Sequence, residues 1–231
     1  MFLGGIDPIY LWCLAIPSLI MSLGVQIYLK STFRKWGQER NSSGLNGLQV
    51  ADQLFRRTSL EQLPVENTPG TLTDHFDPRS SVVHLSDAVA RQPSVAAMAV
   101  AAHELGHVQQ FQAGSALIRT REYLLPALRF SPTVAYVGIV LGLMLNMTGL
   151  LWIGIATFGL MVLFSILTLP VELDASRRGM NLLREANILQ TEQDATGARS
   201  VLRAAALTYL AAAIAAVLQL LYYASLARRR R

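Results

Sequence analysis

From Thr133 to Leu169 the chain runs for 37 residues without one charged side chain. No other feature limits its fold as strongly. At 1.5 Å per residue a single helix of that length would reach about 55 Å, well beyond the roughly 30 Å of a bilayer core. Asn146-Met147-Thr148-Gly149 interrupts the run with turn-forming residues. A tight transmembrane hairpin over 131–169 is therefore expected, with one arm near 132–146 and the other near 150–169. The first arm is short and needs Phe130 and Ser131 to help it span.

Two more apolar blocks lie near the ends. Pro8 to Leu29 holds 22 uncharged residues, a transmembrane helix over 8–29. Ala204 to Ala227 reads as a fourth span, 204–227. Only 15% of residues are charged, against about 25% in an ordinary soluble domain. The net charge of +5 gathers in Lys30, Arg34, Lys35 and Arg40, after the first block, and in Arg228 to Arg231. Basic residues flanking apolar spans are membrane anchors. They place the N-terminus outside and residues from 30 onward in the cytoplasm. The expected location is an integral membrane one, in a bacterial-type plasma membrane. The terminal arginines then fall outside, against the same rule. The partner these charges imply is the lipid bilayer. No nucleic-acid motif accompanies them, so nucleic acid is not expected. The single cysteine, Cys13, excludes an internal disulfide and a Cys-rich metal site.

Residues 31–129 carry the polar sequence. Leu48, Ala51, Leu54 and Phe55 have helical spacing. Turn signals at Thr68-Pro69-Gly70 and Asp77-Pro78, with β-branched residues at Val82 to Leu85, predict a small sheet or hairpin. Ser94 is placed to cap a helix running to Gln112. A second polar, helix-prone segment occupies 170–203.

The chemistry is concentrated in that capped helix. His103-Glu104-Leu105-Gly106-His107 puts two imidazoles one turn apart on one face, able to reach one ion. Glu104 projects beside it, where it can take a proton from metal-bound water. Two histidines on an apolar helix can also be satisfied core residues. Burying Glu104 between them is costly without a cation, and one zinc ion supplies it. Catalytic zinc takes three protein ligands and keeps a fourth position open. The third ligand is open at this point: His75 and His84 lie upstream, and Glu172 and Asp174 lie downstream. Two membrane crossings return the downstream pair to the side of His107. A plainer reading of Glu172 is a helix N-terminal acid favoured by the dipole.

The segments LTDHFDP, HLSDAV, VAAHELGHVQQ and VELDASRRG, in this order, resemble the YugP-type integral membrane zinc metallopeptidases. A looser likeness extends to the HtpX heat-shock proteases, which points to protein quality control, and to the CAAX prenyl endopeptidases. The resemblance implies a thermolysin-like site with Glu172 as third zinc ligand. The Glu-X-X-Ala-Asp pattern of those relatives is matched at Glu172 and Ala175 and broken at Ser176. Asp174, Ser176 or Arg177 is then expected to orient His103 or His107. Candidates for stabilising an oxyanion are His75, Tyr123, Arg177 and Arg178, and the strand at Val82 to Leu85 is expected to pair with an extended substrate.

The expected fold is a mainly α membrane protein with about four transmembrane helices and a cytoplasmic α+β zincin-like catalytic region. The expected substrate is a peptide or protein, membrane-associated, with a membrane-protein partner or homo-oligomer also compatible. The contrasting class is a non-catalytic membrane scaffold with a structural or vestigial zinc. Glu104 argues against it, because a purely structural site has no need of a base. An intramembrane protease is disfavoured because Arg91 and Arg119 bound the motif helix.

Overall fold

The computed structural model describes residues 8–229. Arg230 and Arg231, two of the terminal arginines, lie outside the described residues. In chain order, a turn α1 (Pro8–Tyr10) leads through a π-helical stretch, Leu11–Ala15, into α2 (Ile16–Gln38). Then come α3 (Gly47–Arg57), β1 (Val65–Thr68), β2 (His75–Asp77), β3 (Val82–Ser86), α4 (Asp87–Arg91) and α5 (Val95–Gln112). The chain continues with α6 (Ala116–Leu128), α7 (Ser131–Met144), α8 (Thr148–Glu185) and α9 (Glu192–Arg228). Two units result: one from residues 26–119 and 171–207, the other from the residues up to 25, 120–170 and 208 onward.

The first unit holds the sheet and the polar sequence. Asn46 and Gln49 close a reciprocal capping box at the start of α3, and Val50, Ala51, Leu54 and Phe55 form its buried side. The Ser94 side chain accepts from the Ala97 N–H and starts α5, as expected. α5 is buried on nearly every side. Met98 and Leu105 belong to one buried cluster with Val83 and Leu85 of β3 and Leu182 and Leu183 of α8. The sheet has the order β1-β3-β2, with β3 parallel to β1 and antiparallel to β2. Val83 and Leu85 point to the core, and His84 takes the opposite face. The strand at Val82 to Leu85 is thus found, but it is the central one. Its hydrogen-bonding edges are occupied on both sides, so it has none to offer a substrate. The free edges belong to β1 and β2.

The second unit is apolar. α7 and the start of α8 form the expected hairpin, and Asn146, with φ of 52°, makes the left-handed turn between them. Gly138 and Gly142 lie against Gly154 and Leu151; an added Cβ at Gly142 would come within 2.5 Å of the Leu151 nitrogen. Small residues at this spacing let membrane helices approach closely. Many large apolar side chains face outward here, among them Val137, Val140, Ile153, Leu160 and Leu163, as lipid contact requires.

Three helical stretches are long and apolar enough to span: Leu11–Gln38, Thr148–Glu185 and Glu192–Arg228. A fourth forms if α6 and α7, bent by 52° at their junction, make one span. α7 alone has 14 residues, about 21 Å, which is short of a bilayer core. α6 is not evident from the sequence, because Arg119, Arg121 and Glu122 mask its helical pattern. α2 also runs on past Leu29 to Gln38, since charge marks the end of a span and not the end of a helix. The segment 170–203 is not one helix. Its first part continues α8 through Pro170, and its last part begins α9.

Candidate metal centre

α5 holds His103 and His107 with ring centroids 4.8 Å apart and ring planes at 81°. α8 brings Glu172 against both. Its Oε2 lies 3.2 Å from His103 Nε2 and 3.5 Å from His107 Nε2. Glu172 is 3% exposed, and the two histidines 14% and 9%. Zinc held tetrahedrally at 2.0–2.1 Å from each ligand sets neighbouring ligands about 3.4 Å apart. The two carboxylate–imidazole distances match that spacing and all three donor atoms lie within 4.8 Å of one another, so these residues could hold one metal ion. The donor set, two imidazoles and a carboxylate, suits zinc. Glu172 lies well inside α8, so the dipole at a helix N-terminus does not account for it.

Two glycines let the helices meet. Gly106, between the motif histidines, faces the Ala175 carbonyl; a Cβ there would come within 2.2 Å of the oxygen. Gly179 faces Ala102 in the same way, at 2.5 Å from its oxygen. The backbones of α5 and α8 are in contact at both positions, and that contact carries Glu172 to the imidazoles.

The far side of each imidazole is also engaged. His103 Nδ1 lies 3.2 Å from Ser176 Oγ. His107 Nδ1 lies 3.0 Å from Gln110 Oε1. The amide nitrogen of Gln110 donates to the Val171 carbonyl at 2.8 Å and to Asp174 Oδ2 at 2.9 Å. With its N–H groups so committed, Gln110 turns its oxygen to His107, whose Nδ1 must carry the hydrogen. The Nε2 lone pair then points at the metal position. Asp174 is anchored in turn by Arg177 and by Arg178, whose Nε lies 2.6 Å from Oδ2. Asp174 thus stands beside the ligand group and acts on His107 through Gln110. Ser176, which breaks the relatives' pattern, takes the place beside His103.

Glu104 is 6% exposed, and burial pushes its carboxyl up to about 7. Glu172 and Asp74 push it further, while His103 and the Phe76 backbone N–H oppose them. Asp74 itself is raised by burial and accepts from Ser86 through N–H at 2.7 Å and Oγ at 3.0 Å. It fixes the start of β2 to the end of β3, next to Glu104. Sequence reasoning passed over Gln110 and Asp74. Gln110 left a signal, being three residues from His107 on the same face of α5. Asp74 left none that separates it from a turn aspartate.

Of the other expected residues, His75 and His84 form a cross-strand pair with rings stacked at 4.7 Å. His75 Nδ1 contacts the Thr73 carbonyl and His84 approaches Glu66. Neither joins the ligand group. Arg177 is exposed beyond its bond to Asp174. Tyr123 sits on α6, in the apolar unit, and is 85% exposed.

A buried two-histidine, one-carboxylate cluster that could hold a metal ion, on a chain whose long apolar helices can span a membrane, defines a candidate membrane metalloprotein. The family described as "Putative neutral zinc metallopeptidase" matches residues 11–228. The chain belongs to this family. It is 36% identical to "Putative membrane protease YugP" of Bacillus subtilis (strain 168) over 210 residues, 91% of this chain and 93% of that protein. No solved structure matches the chain.

Proposed function

We propose that this protein is a membrane-embedded zinc endopeptidase that cuts membrane or membrane-associated proteins at the cytoplasmic face. One zinc ion is held by His103, His107 and Glu172. When bound, zinc polarises the scissile carbonyl and lowers the pKa of its water to about 7. With the metal in place, Glu104 would serve as the base toward water and then as the acid toward the leaving amine. Ser176 and Gln110 hold the histidines in the ligating orientation, and Asp174 holds Gln110. An extended substrate adds to the free edge of β2, which puts its backbone next to Glu104. This replaces β3 in that role.

The observation that carries the reading is the meeting of three ligating atoms with a buried, otherwise unexplained glutamate beside them. The test is metal analysis and cleavage of an unfolded protein by wild type and Glu104→Gln. Wild type is expected to hold about one zinc and to cleave, and the variant to keep zinc and lose about 10²–10⁴-fold in rate. Equal rates would refute the mechanism and favour a scaffold with structural zinc. A Glu172→Ala variant with undiminished zinc affinity would remove Glu172 from the site.

A further inference from the structure

A cleft of about 270 Å³ opens between α8 and α9, lined by Leu173, Met180, Leu202 and Ala206 and by the stems of Arg177, Arg199 and Arg203. Its floor is apolar and its rim carries three exposed guanidinium groups. Arg177 is paired with Asp174, whereas Arg199 and Arg203 make no ion pair among the described residues. The position along both helices is specific. α8 is uncharged up to Val171 and polar beyond it, and α9 is polar up to Arg203 and uncharged from Ala204 to Ala227. The cleft therefore crosses the level at which α9 passes between water and hydrocarbon, and on α8 it opens just past that level, from Leu173 onward.

An apolar slot under a cationic rim at that level matches one chemistry, a phosphate on an acyl chain. We infer that the α8–α9 cleft is a binding site for an anionic phospholipid, with an acyl chain against Leu173, Leu202 and Ala206 and the phosphate on Arg199 and Arg203. Paired basic residues hold headgroups of this kind in pockets between membrane helices. Arginine suits the task because its planar fork meets two phosphate oxygens at once. The stems cover apolar surface while the heads stay at the interface. The inference stands on the membrane spans and the cleft, and is independent of the peptidase reading.

The test uses the full chain, delipidated in a neutral detergent and titrated with phosphatidylglycerol or phosphatidylcholine of equal chain length, with bound lipid counted by native mass spectrometry. One phosphatidylglycerol is expected to bind about thirtyfold more tightly than phosphatidylcholine, about fivefold for each free arginine. An Arg199→Gln/Arg203→Gln protein should bind the two lipids alike while keeping the wild-type zinc content and Tm. Ala206→Trp, which fills the slot and leaves the arginines in place, should also lose the phosphatidylglycerol. Equal binding of both lipids by wild type would overturn the site. So would a preference that survives both variants, or displacement of the lipid by millimolar inorganic phosphate, which would make it an anion site without a chain.

Discussion

Gln110 shows how much of this centre rests on one neutral side chain. It accepts from His107 and donates to Asp174 and Val171, so removing it frees the imidazole and strands a buried carbonyl. Partners of ligating histidines are typically worth about 10–100-fold in metal affinity. Gln110→Ala is expected to weaken zinc by that factor, as read by competition with a chelator, and Ser176→Ala to act likewise on His103. Unchanged affinity in both would mean that the histidines need no outer support. Glu104 gives a second prediction. Its carboxyl is raised from 4.5 to about 7 in the folded, metal-free chain, so the folded state holds a proton that the unfolded chain releases at lower pH. Stability from this group is complete below about pH 4.5 and is lost as pH rises through 7, by about 3 kcal/mol. The Tm of metal-free wild type should therefore fall relative to Glu104→Gln between pH 5 and pH 8. Parallel curves would contradict this.

At the scale of elements, the crossing of α5 and α8 is the decisive contact. Gly106 and Gly179 each face a backbone that cannot yield as a flexible side chain can. Gly106→Ala and Gly179→Ala should push the helices apart, lower Tm and lose most zinc binding, although neither change touches a ligand. Zinc titration alongside thermal unfolding checks both effects. Sequence reasoning read α5, its Ser94 cap and the hairpin from local signals, because spacing and caps act within a few residues. It misassigned β3 as the substrate strand because strand order depends on partners distant in sequence. α6 escapes it because the charges at Arg119, Arg121 and Glu122 disguise the helix's apolar face.

At the scale of the molecule, cysteine labelling reads the orientation in the bilayer. The hairpin turn joins α7 to α8, and Glu61 lies in the unit that carries the metal centre. With Cys13 replaced by alanine, a cysteine at Met147→Cys should react with an impermeant maleimide on intact cells. One at Glu61→Cys should react only after lysis. The reverse pattern would place the metal centre outside.

The sequence alone determined the apolar spans and the pairing of His103 with His107, because each is a local matter of hydropathy or helical pitch. It also carried the family likeness in its motifs. Tertiary structure decided which carboxylate reaches the histidines, which groups hold their other nitrogens, and which strand keeps a free edge. Glu172 meets His103 across 69 positions of chain, through two helices whose backbones touch at Gly106 and Gly179. That distance of approach is set by packing, and packing is a property of the folded pair of helices rather than of either segment alone.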